Sequence, residues 1–211
     1  MSDGVRLQSA TFTKPSADAV RKYGYTWDES AFGGTTPIYS SFPPFLWADH
    51  PVVRGAWRDM GIPELRECGG GDKDGLCWVP ISEHPVTARR SHSGIGHYAA
   101  VNATRPNYDL LVGHQVVRVV YTKGVSLTRG APLVEVRSVT GSKLFNITVN
   151  NDVVISAGVF HTPTILQRSG IGPAAFLKSI GVPVVLDLPG VGANFQDHSG
   201  PAISWNCKAT I

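Results

Sequence analysis

The chain has 211 residues, 42% hydrophobic and 17% charged, with a formal net charge of +3 from 19 basic and 16 acidic side chains. That composition is of an ordinary globular chain, long enough for one domain or for one domain and part of another, and it excludes a disordered tail as the main reading. Arg89-Arg90 has no longer basic run or aromatic interleaving around it, and no apolar stretch approaches the roughly 20 residues of a bilayer span, so neither a nucleic-acid partner nor a membrane span is expected.

The opening MSDGVRLQSATFTKPSADAV has no apolar core and is not expected to act as a signal peptide. Residues 1 to about 90 are rich in Pro, Gly, Ser and aromatics, as in TTPIYSSFPPFLWADHP. Helical periodicity there is confined to Pro51–Met60, stopped by Gly61-Ile62-Pro63, and this loop-rich half is expected to lean on other segments for its core. Cys68, Cys77 and Cys207 are an odd set, without zinc-knuckle spacing. The plain reading is three thiols; a Cys68–Cys77 bridge is the alternative in an oxidising compartment. Asn102-Ala-Thr104 and Asn146-Ile-Thr148 are glycosylation triplets, meaningful only in a secreted chain, so the compartment stays open.

From about residue 107 the pattern changes. YDLLVGHQVVRVVYTKG reads as an extended run closed by a turn. LVEVRSV and LFNITV alternate in the strand period and are joined by Thr140-Gly141-Ser142-Lys143, a hairpin. DVVISAG is a short continuous apolar run, the pattern of a strand buried on both faces. Thr162-Pro163 predicts a helix start, with Gly170 as its stop. A second short helix is expected from Pro173 to Gly181, then a strand over VPVVLDL and a loop over PGVGANFQDHSG. The order, a β-meander followed by strand, helices and strand, predicts an α/β (mixed α+β) fold with ligands at the carboxyl ends of buried strands.

Three glycine patterns, beginning at Gly94, Gly170 and Gly190, lack the strand–turn–helix context that brings a pyrophosphate to a helix N-terminus, and each reads as a turn. The seven histidines show no metal spacing, Asp197-His198 are mere sequence neighbours, and no G-x-S-x-G elbow is present, so surface or structural roles are expected. The junction Ser156-Ala157-Gly158 differs: small residues at a strand end before a helix permit main-chain approach to a flat or anionic ligand, with tight helix–strand packing the equal alternative.

GVFHTPTILQRSGIG, Gly158 to Gly172, resembles the second signature of the glucose–methanol–choline (GMC) flavoprotein oxidoreductases, departing only at Val159, where that family has a smaller residue. LPGVGANFQDH resembles a further loop of the family, with Phe195 in place of leucine, and RPNYDLLVGHQVVRVVY resembles the strand opening its β-meander. The likeness is dense from about 85 to 206 and has the tone of fungal members. It implies FAD as cofactor, a small-molecule alcohol (CH–OH donor) as substrate, and hydride transfer to flavin N5. It further implies a partial substrate or cap segment over 1–90 and a partial FAD-binding domain over 91–211. By the same resemblance Val116 offers a main-chain contact to adenine, and Ser156, Ala157 and Gly158 lie near the adenosine half of FAD. The family's pyrophosphate-binding segment, its first signature and its catalytic histidine have no counterpart here, so no catalytic residue is assigned. The expectation is an internal fragment, inactive alone; the alternative is a non-catalytic remnant that binds or complements a separate flavin-domain segment.

Overall fold

A computed structural model describes residues 10–121, 132–141 and 143–197, so Ser142, His198, Cys207 and the turn expected after Tyr121 lie outside it. The fold mixes helices and strands as expected, in two compact units that part between Asp109 and Leu110.

In the first unit, β1 (Ala10–Thr13) pairs in parallel with β2 (Thr36–Ser41), and α1 (Ala17–Tyr23) lies between them in sequence. Ser16 starts α1 because its hydroxyl accepts the Ala19 N–H at 3.1 Å, satisfying a donor that has no intrahelical partner. α2 (His50–Asp59) falls within one residue of the expected helix, with proline in its first turn. It ends in paired bonds from Gly61 N–H to the Arg58 carbonyl and from Ile62 N–H to the Trp57 carbonyl, a Schellman closure.

This unit does not lean wholly on other segments. Tyr25, Phe42 and Trp78 are buried together, with Phe12, Tyr23, Trp27 and Leu46 around them. Tyr25 stacks on Phe42 and meets Trp78 edge-on, both at 4.8 Å between centroids. A few aromatic rings, each burying roughly 150–250 Å², build a core that no periodic pattern announces. Cys68 and Cys77 are joined by a disulfide across the CGGGDKDGLC loop, so the bridge and not the free-thiol reading holds for this pair. Gly94–Ala99, expected as a simple turn, winds into a π-helical turn.

In the second unit, β3 (His114–Val120), β4 (Leu133–Ser138) and β5 (Leu144–Thr148) form the expected antiparallel meander in the order β3-β4-β5. The register slips between Val116 and Arg118, so Val117 is an extra residue opposite β4, a β-bulge. α3 (Gly158–Arg168), β6 (Ile171–Gly172), α4 (Ala174–Ser179) and β7 (Leu186–Asp187) follow, with β6 and β7 paired in parallel. Val119, Val136, Ile165, Ile171, Leu177 and Val191 are buried.

Three expectations fail here. DVVISAG forms no strand: residues 152–157 have no ladder partner among the described residues, and Val154 is 87% exposed. A strand buried on two faces needs neighbours on both sides, which continuous apolar sequence cannot supply by itself. The helix begins at Gly158, not at Thr162-Pro163, because Thr162 Oγ1 accepts the Ala157 N–H at 3.0 Å and caps the helix from within its second turn. Pro163 thus sits inside α3 and deprives the Val159 carbonyl of its bond four residues on. Of VPVVLDL, only Leu186–Asp187 pairs.

The Tyr25 hydroxyl donates to the Pro43 carbonyl at 2.9 Å, and burial, then Tyr23 and Glu83, pushes its pKa up to about 12. The folded chain therefore holds this proton more tightly than the unfolded one, whose phenol titrates near ~10. The contribution is complete below that value and is lost as pH climbs towards the folded one. Urea midpoints should fall more steeply for the wild type than for Tyr25→Phe between pH ~9 and ~12, the variant already starting about 1 kcal/mol lower from the lost hydrogen bond. Parallel midpoint curves for the two proteins would rule Tyr25 out as the cause.

Candidate functional site

A groove of about 400 Å³ opens in the second unit between β3, the extended segment 153–157 and one face of α3. Val119 and Ile165, both buried, are its apolar floor with Val134, while Gln115, His114, Ser156, Thr164 and Arg168 supply polar groups around it. The His114 Nδ1–H donates to the Val112 carbonyl at 2.7 Å, and its ring meets Phe145 edge-on. Val116, Ser156 and Ala157 all line this groove. Gly158 does not: it is the next residue, first of α3, at φ 86°, and a Cβ placed there would meet nothing within 4 Å.

The strand bulge at Val117 and the helix start at Gly158 thus bring two sequence segments, some 40 residues apart, to one surface. The helical contribution escaped sequence reading, although its signal was present. His161, Thr164, Ile165 and Arg168 follow the i, i+3, i+4, i+7 spacing of a single helix face. Among the described residues no group of three His, Cys, Asp or Glu could hold a metal ion.

What holds the groove's walls together is written in the motif itself. Ser169 is buried; its hydroxyl donates to the Ile165 carbonyl at 2.6 Å and accepts the Val119 N–H at 2.8 Å, fastening α3 to β3. Gly170 has φ 83°, and a Cβ there would stand 2.5 Å from the Pro183 carbonyl oxygen, so glycine alone lets the chain turn under the strand that follows. A Cβ on Gly192 would meet the Gln167 side chain at 2.8 Å, and Gln167 Nε2 donates to the Val191 carbonyl. Phe160 lies 5.3 Å from Phe195. The two stretches that carry the resemblance, 158–172 and 188–197, are therefore one packed structure.

The chain matches the GMC oxidoreductase family over residues 25–200, and it belongs to that family. Its relatives include dehydrogenase xptC of Emericella nidulans, 31% identical over 195 residues, and an oxygen-dependent choline dehydrogenase of Burkholderia vietnamiensis, 30% identical over 155 residues. The first alignment covers 92% of this chain and 30% of the relative, the second 72% and 25%. Among solved structures, a fungal aryl-alcohol oxidase is 64% identical with a TM-score of 0.80, covering 91% of this chain and 31% of that one. An FAD-dependent oxidoreductase from Chaetomium thermophilum is 32% identical with a TM-score of 0.75, covering 88% and 31%. The chain thus spans between a quarter and a third of the length of these proteins, and the family together with its FAD-dependent neighbour indicates FAD as the cofactor.

The groove suits part of that molecule. Its volume lies near the low end of the roughly 300–1,000 Å³ of ligand pockets. An apolar floor beside an exposed backbone of small residues can take a flat ring and a sugar, as in the adenosine half. None of its lining residues belongs to a glycine-rich turn between strand and helix, the device that would cradle a pyrophosphate.

Ser169→Ala should strand the buried Val119 N–H and lower stability by about 1–3 kcal/mol. Gly170→Ala should cost at least as much, whereas Gly190→Ala, whose Cβ would meet nothing within 4 Å, should stay within about 0.5 kcal/mol. Equal urea midpoints for all three variants and the wild type would contradict this account of the motif.

Proposed function

We propose that the groove receives the adenosine half of FAD in a GMC enzyme that oxidises a small-molecule alcohol by passing hydride from the CH–OH carbon to flavin N5. The convergence of Val116, Ser156 and Ala157 on one groove carries this reading. The Val116 main chain faces the adenine edge, the Ser156-Ala157-Gly158 backbone lies along the ribose, and Val119 and Ile165 give the ring a dry floor. Residues 1–90 are assigned to a substrate or cap segment and 91–211 to the FAD-binding domain. No residue of this chain is assigned to proton or hydride transfer. With adenosine contacts alone, and without charge-assisted contacts to the pyrophosphate, affinity for FAD should be modest.

A second reading, a module that binds or complements a flavin-domain segment without catalysis of its own, draws support from the apolar side chains bare beside the groove. Val154, Val159 and Phe160 are 87%, 61% and 65% exposed.

The test is a titration of the chain with FAD, followed by flavin fluorescence, with AMP and riboflavin as competitors. AMP should displace FAD and riboflavin should not. Ala157→Phe, which fills the groove, should weaken binding about tenfold or more, equivalent to about 1.4 kcal/mol, with an unchanged circular dichroism spectrum. Displacement by riboflavin as effective as by AMP, or full affinity in the folded variant, would place the flavin elsewhere.

A further inference from the structure

We infer that Asn102 and Asn146 are N-glycosylation sites and carry N-linked oligosaccharides. Asn-x-Thr triplets arise by chance, so the triplets alone decide little. Their setting decides more. Asn102 lies in the turn after the π-helical turn, its N–H bound to the Tyr98 carbonyl at 2.9 Å, while Thr104 returns both its N–H and its Oγ1–H to the Val101 carbonyl at 3.0 Å. Asn146 lies on β5, opposite Glu135 of β4. Both asparagines and both threonines are exposed, and neither asparagine amide has a hydrogen-bond partner among the described residues. The intervening residues, Ala103 and Ile147, are not proline, as the modification requires.

The Cys68–Cys77 bridge is the independent observation. Its formation takes two protons and two electrons from the thiols and delivers them to a disulfide oxidant, which becomes a dithiol. Such bridges persist in the oxidising lumen of the secretory route and are rare in reducing compartments. That same lumen holds the glycosyl donor, an oligosaccharide on a polyprenyl pyrophosphate. There the asparagine amide nitrogen attacks the sugar's anomeric carbon, the carbon–oxygen bond to pyrophosphate breaks, and the polyprenyl pyrophosphate leaves with the electron pair. The amide gives up one proton and no redox change occurs. A glycan on Asn146 has a further physical consequence. β5 is the outer strand of the β3-β4-β5 sheet among the described residues, and a bulky, hydrated group there screens an edge that otherwise invites pairing with another chain.

The experiment maps peptides of the protein purified from its own host, cells and medium together, without reduction, before and after peptide N-glycosidase F in ¹⁸O water. The expected result is ¹⁸O-labelled aspartate at positions 102 and 146, with the Cys68 and Cys77 peptides linked. Unlabelled asparagine at both positions overturns the inference, whatever the state of the cysteines. Thr104→Ala and Thr148→Ala, both at exposed positions, should each speed migration on a denaturing gel by one glycan step, and the double variant should be insensitive to the glycosidase. Unchanged migration of both single variants also overturns it.

Discussion

The unit that begins at Leu110 depends on one buried hydroxyl. Ser169 takes the Val119 N–H and gives its own proton to the Ile165 carbonyl, so a strand and a helix 50 residues apart in sequence are held by a single atom. Val119 and Ile165 are also the floor of the groove, which means the interaction that joins the elements sets the depth of the site. A buried donor left unmet costs about 1–3 kcal/mol, a large share of a small unit's stability. Threonine would retain the oxygen but add a methyl to a position already 6% exposed, and alanine would lose the acceptor, so serine is the residue this corner can use.

Glycines do the complementary work of bringing backbones together. Gly170 passes beneath Pro183 with no room for a Cβ, and Gly192 sits against Gln167 of α3. Between them they place β6 beside β7 and the 188–197 loop beside the first turns of α3, where Phe160 meets Phe195. Phe195 replaces the leucine expected from the resemblance, and the ring reaches an aromatic partner in α3. Val159, the other departure, is mostly exposed, so its extra bulk meets no wall.

The meander was legible because alternation in LVEVRSV and LFNITV reports directly on a half-buried ladder, and the stops at Gly61 and Gly181 because a helix end has a local chemistry. The start of α3 was not. Thr162-Pro163 imitates a cap, but the threonine caps Ala157 from inside the helix, and only three-dimensional position distinguishes the two. DVVISAG misled for a related reason: its apolar run is compatible with a strand, yet strands exist only with partners. The aromatic core around Tyr25 was hidden because its members come from loops with no period. For the site, Val116 was chosen from the family likeness, and Ser156-Ala157-Gly158 from its small-residue junction together with that likeness. The meeting of Val116, Ser156 and Ala157 in space, with the α3 face opposite them, is a matter of the Ser169 joint and not of any local pattern.

The groove's own chemistry limits what it can be asked to do. Around its apolar floor stand Gln115, Ser156, Thr164, Arg168 and two imidazoles, His114 and His161, and the Nδ1–H of His114 is already given to the Val112 carbonyl. If the groove takes the adenosine end as proposed, fixing one end of a long cofactor would restrict where its reactive end can go, converting binding free energy into positioning. On the proposed reading the groove would serve the reaction by position alone, as an anchor whose walls are joined by the bond from Val119 to Ser169.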